Sequence, residues 1–252
     1  MRLDPWPFPR WIAHRGAGKL APENTLAAFR LGAAHGYRAF ECDVKLSADG
    51  VPFLLHDATL DRTTDARGTA GDRPWAELSR LDAGTWHSRG FAGEPLPSLE
   101  AIVAFCQASG HALNIEIKPT PGVEADTGRA VALACSRLRE PSAPRPWTAP
   151  LLFTSFRPEA LLAAMQAAPG IPRGLLLDTL WPGWEAVAEQ LGAVAVVTNY
   201  NAMTPDLVRT LHAAGRRALC YTVNDPSVAQ WLLAAGVDGS ITDAVDRFPP
   251  GG

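Results

Sequence analysis

Short apolar runs that alternate with helical segments constrain this chain more than any other feature. Nine such runs can be read, at residues 11–14, 40–46, 52–56, 112–118, 151–156, 174–178, 193–198, 218–223 and 239–242. Continuous apolar runs, rather than runs apolar at every second position, suit strands buried on both faces. Segments of helical spacing lie between most of them: 25–35 before Gly36, 99–109 between Ser98 and Gly110, 206–214 before Gly215, and 226–235 between Asp225 and Gly236. Ser or Asp ahead of a helix accepts a bond from its free N–H groups, and Gly behind it takes the left-handed turn that ends it. Strands alternating with helices predict a parallel sheet with helical crossovers.

Nine runs are one too many for a barrel of eight. The segment 47–51 is too short for a parallel crossover and contains Asp49-Gly50, so 52–56 reads as the return arm of a β-hairpin. Eight strands then remain for a (β/α)8 TIM barrel, with a doubly wound open sheet as the competing architecture. Such barrels run to roughly 250 residues as one domain, so residues 1–252 are expected to form a single one. A small irregular insertion rich in Gly, Pro, Arg, Asp and Trp at about 57–97 is expected on the catalytic face, and a loop at 141–150. The formal charge of −3 excludes an electrostatic grip on nucleic acid. No apolar stretch reaches the about 18 residues that a membrane span needs. Pro5, Pro7 and Pro9 interrupt the start, which argues against a secretory signal. Cys42, Cys106, Cys135 and Cys220 are far apart, as expected of reduced thiols in a cytoplasmic protein. The oligomeric state is not legible.

In a barrel, chemistry belongs at the carboxyl ends of the strands. His14-Arg15-Gly16 ends the first. Glu41 and Asp43, two apart, share a face of the second, as Glu116 and Lys118 do on the fourth run. His56-Asp57 ends the hairpin's return arm. A two-residue hairpin loop would pair His56 with Asp43, and a four-residue loop would pair it with Glu41. Either register sets the imidazole on the face of both acids, whereas an odd loop would turn it away. Three carboxylates in an apolar mouth raise one another's pKa, and a hard divalent cation would relieve them. All-oxygen ligation favours Mg²⁺, Ca²⁺ or Mn²⁺ over zinc. Ion pairing of Glu41 and Asp43 with Lys45, Arg38 or another base in a structural network is the alternative.

Other residues have two readings each. Glu23 and Asn24 can cap the first helix or support the site. Asp57 and Asp243 can orient a histidine or Arg15, or serve a loop. Phe156 and Tyr221 can wall a substrate pocket or join the core. Trp75 and Trp86 can cover the site or give the insertion a core. Gly16-Ala17-Gly18 can bind phosphate on backbone N–H groups, although it fits no standard fingerprint. His35, His87, His111 and His212 have no partner pattern.

The ordered set His14-Arg15-Gly16, Pro22-Glu23-Asn24-Thr25, Glu41-x-Asp43-Val44, His56-Asp57 and Glu116-x-Lys118 resembles the glycerophosphodiester phosphodiesterase family. Ser155-Phe156, Tyr221-Thr222-Val223-Asn224 and the run from Asp238 to Asp243 extend the resemblance over about residues 11 to 243. Tyr221 departs from it, standing where that family often has Trp. The resemblance implies a TIM barrel, metal ligation by Glu41, Asp43 and Glu116, and acid–base catalysis by His14 and His56. Arg15 and Lys118 would contact the phosphate or hold the carboxylates. The implied reaction cleaves a small-molecule glycerophosphodiester to sn-glycerol 3-phosphate and an alcohol. Two rivals remain. A phospholipase-D-like relative acting on lysolipids or sphingolipids needs an apolar interface, for which residues 181–184 (Trp-Pro-Gly-Trp) are the nearest candidate. A non-enzymatic diester-binding barrel predicts gaps in the catalytic set, and the sequence has none.

Overall fold

The computed structural model describes residues 5–140 and 146–250, so half of the loop expected at 141–150 lies outside the described residues. All nine apolar runs form strands: β1 (Trp11–Ala13), β2 (Ala39–Leu46), β3 (Pro52–Leu54), β4 (Ala112–Ile117), β5 (Leu151–Ser155), β6 (Arg173–Leu177), β7 (Ala195–Asn199), β8 (Arg217–Tyr221) and β9 (Gly239–Thr242). Eight of them run parallel. β1 pairs with β9 on one side and, at Ala13↔Phe40, with β2 on the other, which closes a (β/α)8 barrel and rules out an open sheet. β3 is the exception, antiparallel to β2 on the edge that the short β1 leaves free.

The hairpin loop corrects one expectation. Leu46 pairs with Pro52 and Val44 with Leu54, so the loop has five residues, 47–51, rather than two or four. Continued, this odd register would set His56 opposite Cys42, on the wrong face. The ladder stops first. After Leu54 only Leu55 N still donates to Asp43 O, at 3.1 Å, and the chain bends away at His56. The imidazole reaches the cavity because it has left the strand, not because the register aims it there.

The helical readings hold, with the expected caps. In α1 (Leu26–Ala34) the Thr25 hydroxyl accepts from Ala28 N. A four-residue α2 (Trp75–Leu78) lies in the insertion. Ser98 caps α3 (Leu99–Ser109), which Gly110 ends in the left-handed region at φ 68°. Next come α4 (Glu124–Arg139), α5 (Pro158–Ala167), α6 (Trp184–Gln190) and α7 (Pro205–Ala213). Asp225 caps α8 (Pro226–Ala235) through Ser227 N and Val228 N.

The core has three parts. Phe40, Cys42 and Val44 point outward from β2 into the layer shared with α1 and α3. Ile12, Ala39, Leu152, Val197, Leu219 and Ile241 fill the barrel's inside, joined by Phe8. Phe53, Leu55, Leu60, Ala70, Leu78, Ala83 and Leu96 form a separate small core for the insertion. Each fully buried Leu or Phe there contributes about 1.5–3 kcal/mol, which holds an otherwise irregular segment in place. Trp75 packs on that core, 6.0 Å from the Phe53 ring, and Trp86 stays half-exposed at its edge. Neither lines the cavity that holds the candidate site residues.

Candidate active site

Alternation along β2 and β4 builds the floor of the site. Because Phe40, Cys42 and Val44 face the helices, Glu41, Asp43 and Lys45 face the barrel axis. The same argument turns Asn114 and Glu116 of β4 inward, with Lys118 following. Register sets Glu41 beside Asn114 and Asp43 beside Glu116. Glu41, Asp43 and Glu116 are 3%, 0% and 8% exposed, and each offers an oxygen within 4.8 Å of the others.

Three buried acids cannot all hold charge unaided. Burial and the neighbouring Asp43 and Glu116 push Glu41 well above the ordinary carboxylate range. Burial, with Asp43 beside it, lifts Glu116 to about 7. Asp43 goes the other way. Burial opposes its charge, but Arg15 and Lys118 outweigh burial and hold it below the usual range. Arg15 Nε lies 3.1 Å from Asp43 Oδ2, and Lys118 Nζ lies 3.4 Å from Oδ1 and 2.8 Å from Glu116 Oε1. Of the rival ion pairs, those with Lys45 and Arg38 do not form, but Asp43 does pair with two other bases, Arg15 and Lys118. Arg38 is exposed, and Lys45 donates to the Lys118 carbonyl at 2.8 Å.

The donor set fits a hard cation. It is all oxygen, it is buried, and Asp43 Oδ1 accepts no hydrogen bond. Glu41, Asp43 and Glu116 are therefore the residues that could hold a divalent metal.

Both imidazoles are tethered through Nδ1. His14 Nδ1 lies 2.6 Å from Asp243 Oδ1, and Asn224 Nδ2 donates to the other carboxylate oxygen at 3.0 Å. His56 Nδ1 lies 2.6 Å from Asp57 Oδ1. A carboxylate at Nδ1 fixes the proton there and leaves Nε2 to the cavity. His14 Nε2 is 3.7 Å from Glu41 Oε2. Burial lowers the His56 pKa, against the pull of Asp43. The open readings of Asp57 and Asp243 thus resolve in favour of orienting the histidines.

The β1–α1 loop ties these parts together. Arg15 and Asn24 both sit at positive φ, 51° and 59°. Asn tolerates this, whereas for Arg it costs of order 1–3 kcal/mol. Arg15 is held there by its backbone N–H on Glu41 Oε2, at 3.1 Å, and by its side chain on Glu23 and Asp43. Asn24 clasps Asp43, donating to Oδ2 at 2.8 Å and accepting from the backbone N at 3.1 Å. Thr25, not Glu23 or Asn24, caps α1. Gly18 serves close packing, since a Cβ there would lie 2.1 Å from the Asp243 carbonyl oxygen.

The cavity holds about 250 Å³, and His14, Arg15, Glu41, His56, Glu116, Lys118, Phe156 and Tyr221 all line it. Lys118 Nζ stands 5.6 Å from the Phe156 ring centre, and Tyr221 meets that ring edge-on at 5.8 Å. All nine sequence-predicted site residues converge here, with Asp43 beneath the surface of the cavity. Sequence reasoning missed Asn114, Thr154, Asp178 and Arg62. Asn114 was legible, two residues before Glu116 on one strand face. Arg62 carried no such signal, because it lies in the insertion. Of residues 181–184, Trp184 is buried and Trp181 is partly buried against the core.

Paired acid–base groups beside fixed cations serve cleavage of an anionic ester, and a barrel that carries them falls in the class of TIM-barrel hydrolases. Comparison then specifies the family. The model of the glycerophosphoryl diester phosphodiesterase family matches residues 14–247, and this chain belongs to that family. It is 32% identical over 237 residues to a glycerophosphodiester phosphodiesterase of Caldanaerobacter subterraneus subsp. tengcongensis, covering 92% of this chain and 93% of the relative. The structure of an Oleispira antarctica phosphodiesterase, in complex with the product sn-glycerol-3-phosphate, superposes with a TM-score of 0.88 at 35% identity, over 95% of each chain. A glycerophosphodiester phosphodiesterase of Agrobacterium tumefaciens superposes with a TM-score of 0.77 at 28% identity, over 95% of this chain and 98% of that one.

Proposed function

We propose that this enzyme hydrolyses glycerophosphodiesters, such as deacylated phospholipid head groups, to sn-glycerol 3-phosphate and an alcohol. The observation that carries the reading is the pair of imidazoles, each held by a carboxylate at 2.6 Å in one cavity with Arg15 and Lys118. The product bound by the Oleispira relative supports the same substrate class. Arg15 and Lys118 offset the charge of the diester and the further charge its nonbridging oxygens gain in the transition state. One histidine takes the proton of the attacking hydroxyl at Nε2 as the new P–O bond forms. The other gives its proton to the leaving oxygen as the old bond breaks. The attacking hydroxyl is water or the substrate's own glycerol 2-hydroxyl. In the second case a cyclic phosphate forms and water opens it, with the histidines exchanging roles. Asp57 and Asp243 hold each imidazole at the right angle and steady its charged form. Phe156 and Tyr221 wall the glycerol.

Glu41, Asp43 and Glu116 would hold Mg²⁺ or Ca²⁺, or Mn²⁺, which when bound polarises the phosphoryl oxygens. We take residues 1–252 as one catalytic unit, since the insertion supplies Asp57. Four buried free thiols support a cytoplasmic setting, and no helix among the described residues is long and apolar enough to cross a membrane.

The test is release of glycerol 3-phosphate from choline, ethanolamine and inositol diesters by the purified protein. EDTA should abolish it, and Mg²⁺ or Ca²⁺ should restore it. Turnover that survives chelation would remove the metal from the scheme. An alcohol phosphate as product, in place of glycerol 3-phosphate, would overturn the assignment.

A further inference from the structure

Arg62 joins the two halves of the site from outside the cavity. Its guanidinium donates from Nε and Nη2 to both oxygens of Asp57, at 2.7 and 3.1 Å. It also donates from Nη1 and Nη2 to both oxygens of Glu23, at 2.8 Å each. Asp57 holds His56 Nδ1, and Glu23 accepts from Arg15 Nη1 at 2.9 Å. One planar fork from the insertion therefore meets the carboxylate that orients an imidazole and the carboxylate that orients a phosphate-facing arginine. A lysine could not replace it, because a point charge has no fork with which to hold two carboxylates side on.

We propose that Arg62 is a positioning residue, setting His56 through Asp57 and Arg15 through Glu23 without touching the substrate. The two chains of contacts predict two effects. Misorienting His56 lowers kcat, and loosening Arg15 raises KM. Without Arg62, two carboxylates face each other across an open gap whose shape fits a guanidinium ion.

This inference rests on the proposed hydrolysis, so wild-type release of glycerol 3-phosphate from glycerophosphocholine is measured first. Its absence would sink that function and not the role of Arg62. Given wild-type turnover, Arg62→Ala should lower kcat at least tenfold and raise KM about threefold. Arg62→Lys should recover less than half of that loss. Guanidinium chloride at about 50 mM should raise kcat of Arg62→Ala at least fivefold and leave Arg62→Lys, His56→Ala and wild type unchanged. In a His56→Ala background, Arg62→Ala should cost less than twofold in kcat. Wild-type kinetics in Arg62→Ala overturn the proposal. A loss that guanidinium does not relieve, or that adds in full to His56→Ala, also overturns it, since either means a general loosening of the insertion. Should Arg62→Ala fail to fold, Arg62→Lys decides without guanidinium: a kcat loss that nearly vanishes in a His56→Ala background supports the proposal, and wild-type kinetics or a loss that adds in full to His56→Ala overturns it.

Discussion

The two histidines to which the proposed mechanism gives acid–base roles stand on different supports. His14 stands on the barrel wall. Its partner Asp243 follows β9, and Asn224 follows β8, so the tether is anchored in strands that also hold the fold together. His56 stands where the hairpin gives way to the insertion, and its partner Asp57 is tied to Arg62, whose side chain is 43% exposed. The first support is made of the molecule's framework. The second is an ion-pair network on a small lobe with its own core. In the proposed mechanism, then, one imidazole is held by the framework that closes the barrel and the facing one by an added arm.

Removing the imidazoles tests whether both sides take part. His14→Ala and His56→Ala should each lower kcat by roughly 10²–10⁴, the range acid–base groups command. A variant within about threefold of wild type would take that side out of the mechanism. The tethers sharpen the comparison. Asp243→Asn should lower kcat roughly 10²-fold, and Asp57→Asn only about tenfold, because the Arg62 charge already offsets much of what Asp57 offers an imidazolium. Equal losses would mean that the two supports are equivalent after all.

Acid and salt should separate the tethers next. Burial would raise the Asp243 carboxyl, but its hydrogen bond and charge contact with His14, together with Asn224, outweigh this and bring it to about 2. A carboxyl lowered below its unfolded value near 3.9 stabilises the fold above that pH, and the contribution fades as pH falls through about 2. The Tm gap between wild type and Asp243→Asn should thus hold from about pH 7 to 5 and shrink below about 4. Asp57 is also lowered, first by its hydrogen bond from Arg62. That pair is partly exposed, so about 1 M NaCl should shrink the Tm gap for Asp57→Asn and spare that for Asp243→Asn. A gap for Asp243→Asn that grows in acid, or equal salt responses, would contradict the contrast.

The smallest effect expected is none at all. Burial pushes the Cys106, Cys135 and Cys220 thiols up to about 12, and all four cysteines lie outside the insertion. A thiol reagent should label none in the native protein and all four in denaturant. Labelling in low denaturant should follow opening of the barrel, and protease nicking within 57–97 should come earlier. Fast native labelling would show the barrel to be the looser region.

Much of the fold was legible because it repeats. Period-two alternation put Glu41 with Asp43, and Glu116 with Lys118, on inward faces before any contact was known. The capping signals at Ser98, Asp225, Gly110 and Gly236 marked helix ends where the structure has them. His56 was expected at the site for the wrong reason, since the five-residue hairpin loop would have turned it away had pairing continued. Asn24 and Glu23 offered capping chemistry and served the site instead, because Thr25 already satisfied the helix end.

By itself the sequence determined the barrel and the chemical types at its strand ends, because strand periodicity and helix capping are local and act through nearest neighbours. Only the tertiary structure decided how far each strand runs, where a loop leaves its ladder, and which loop residue meets which. Those outcomes depend on contacts such as Arg62 with Glu23, 39 residues apart in the chain, whose energies have no local trace.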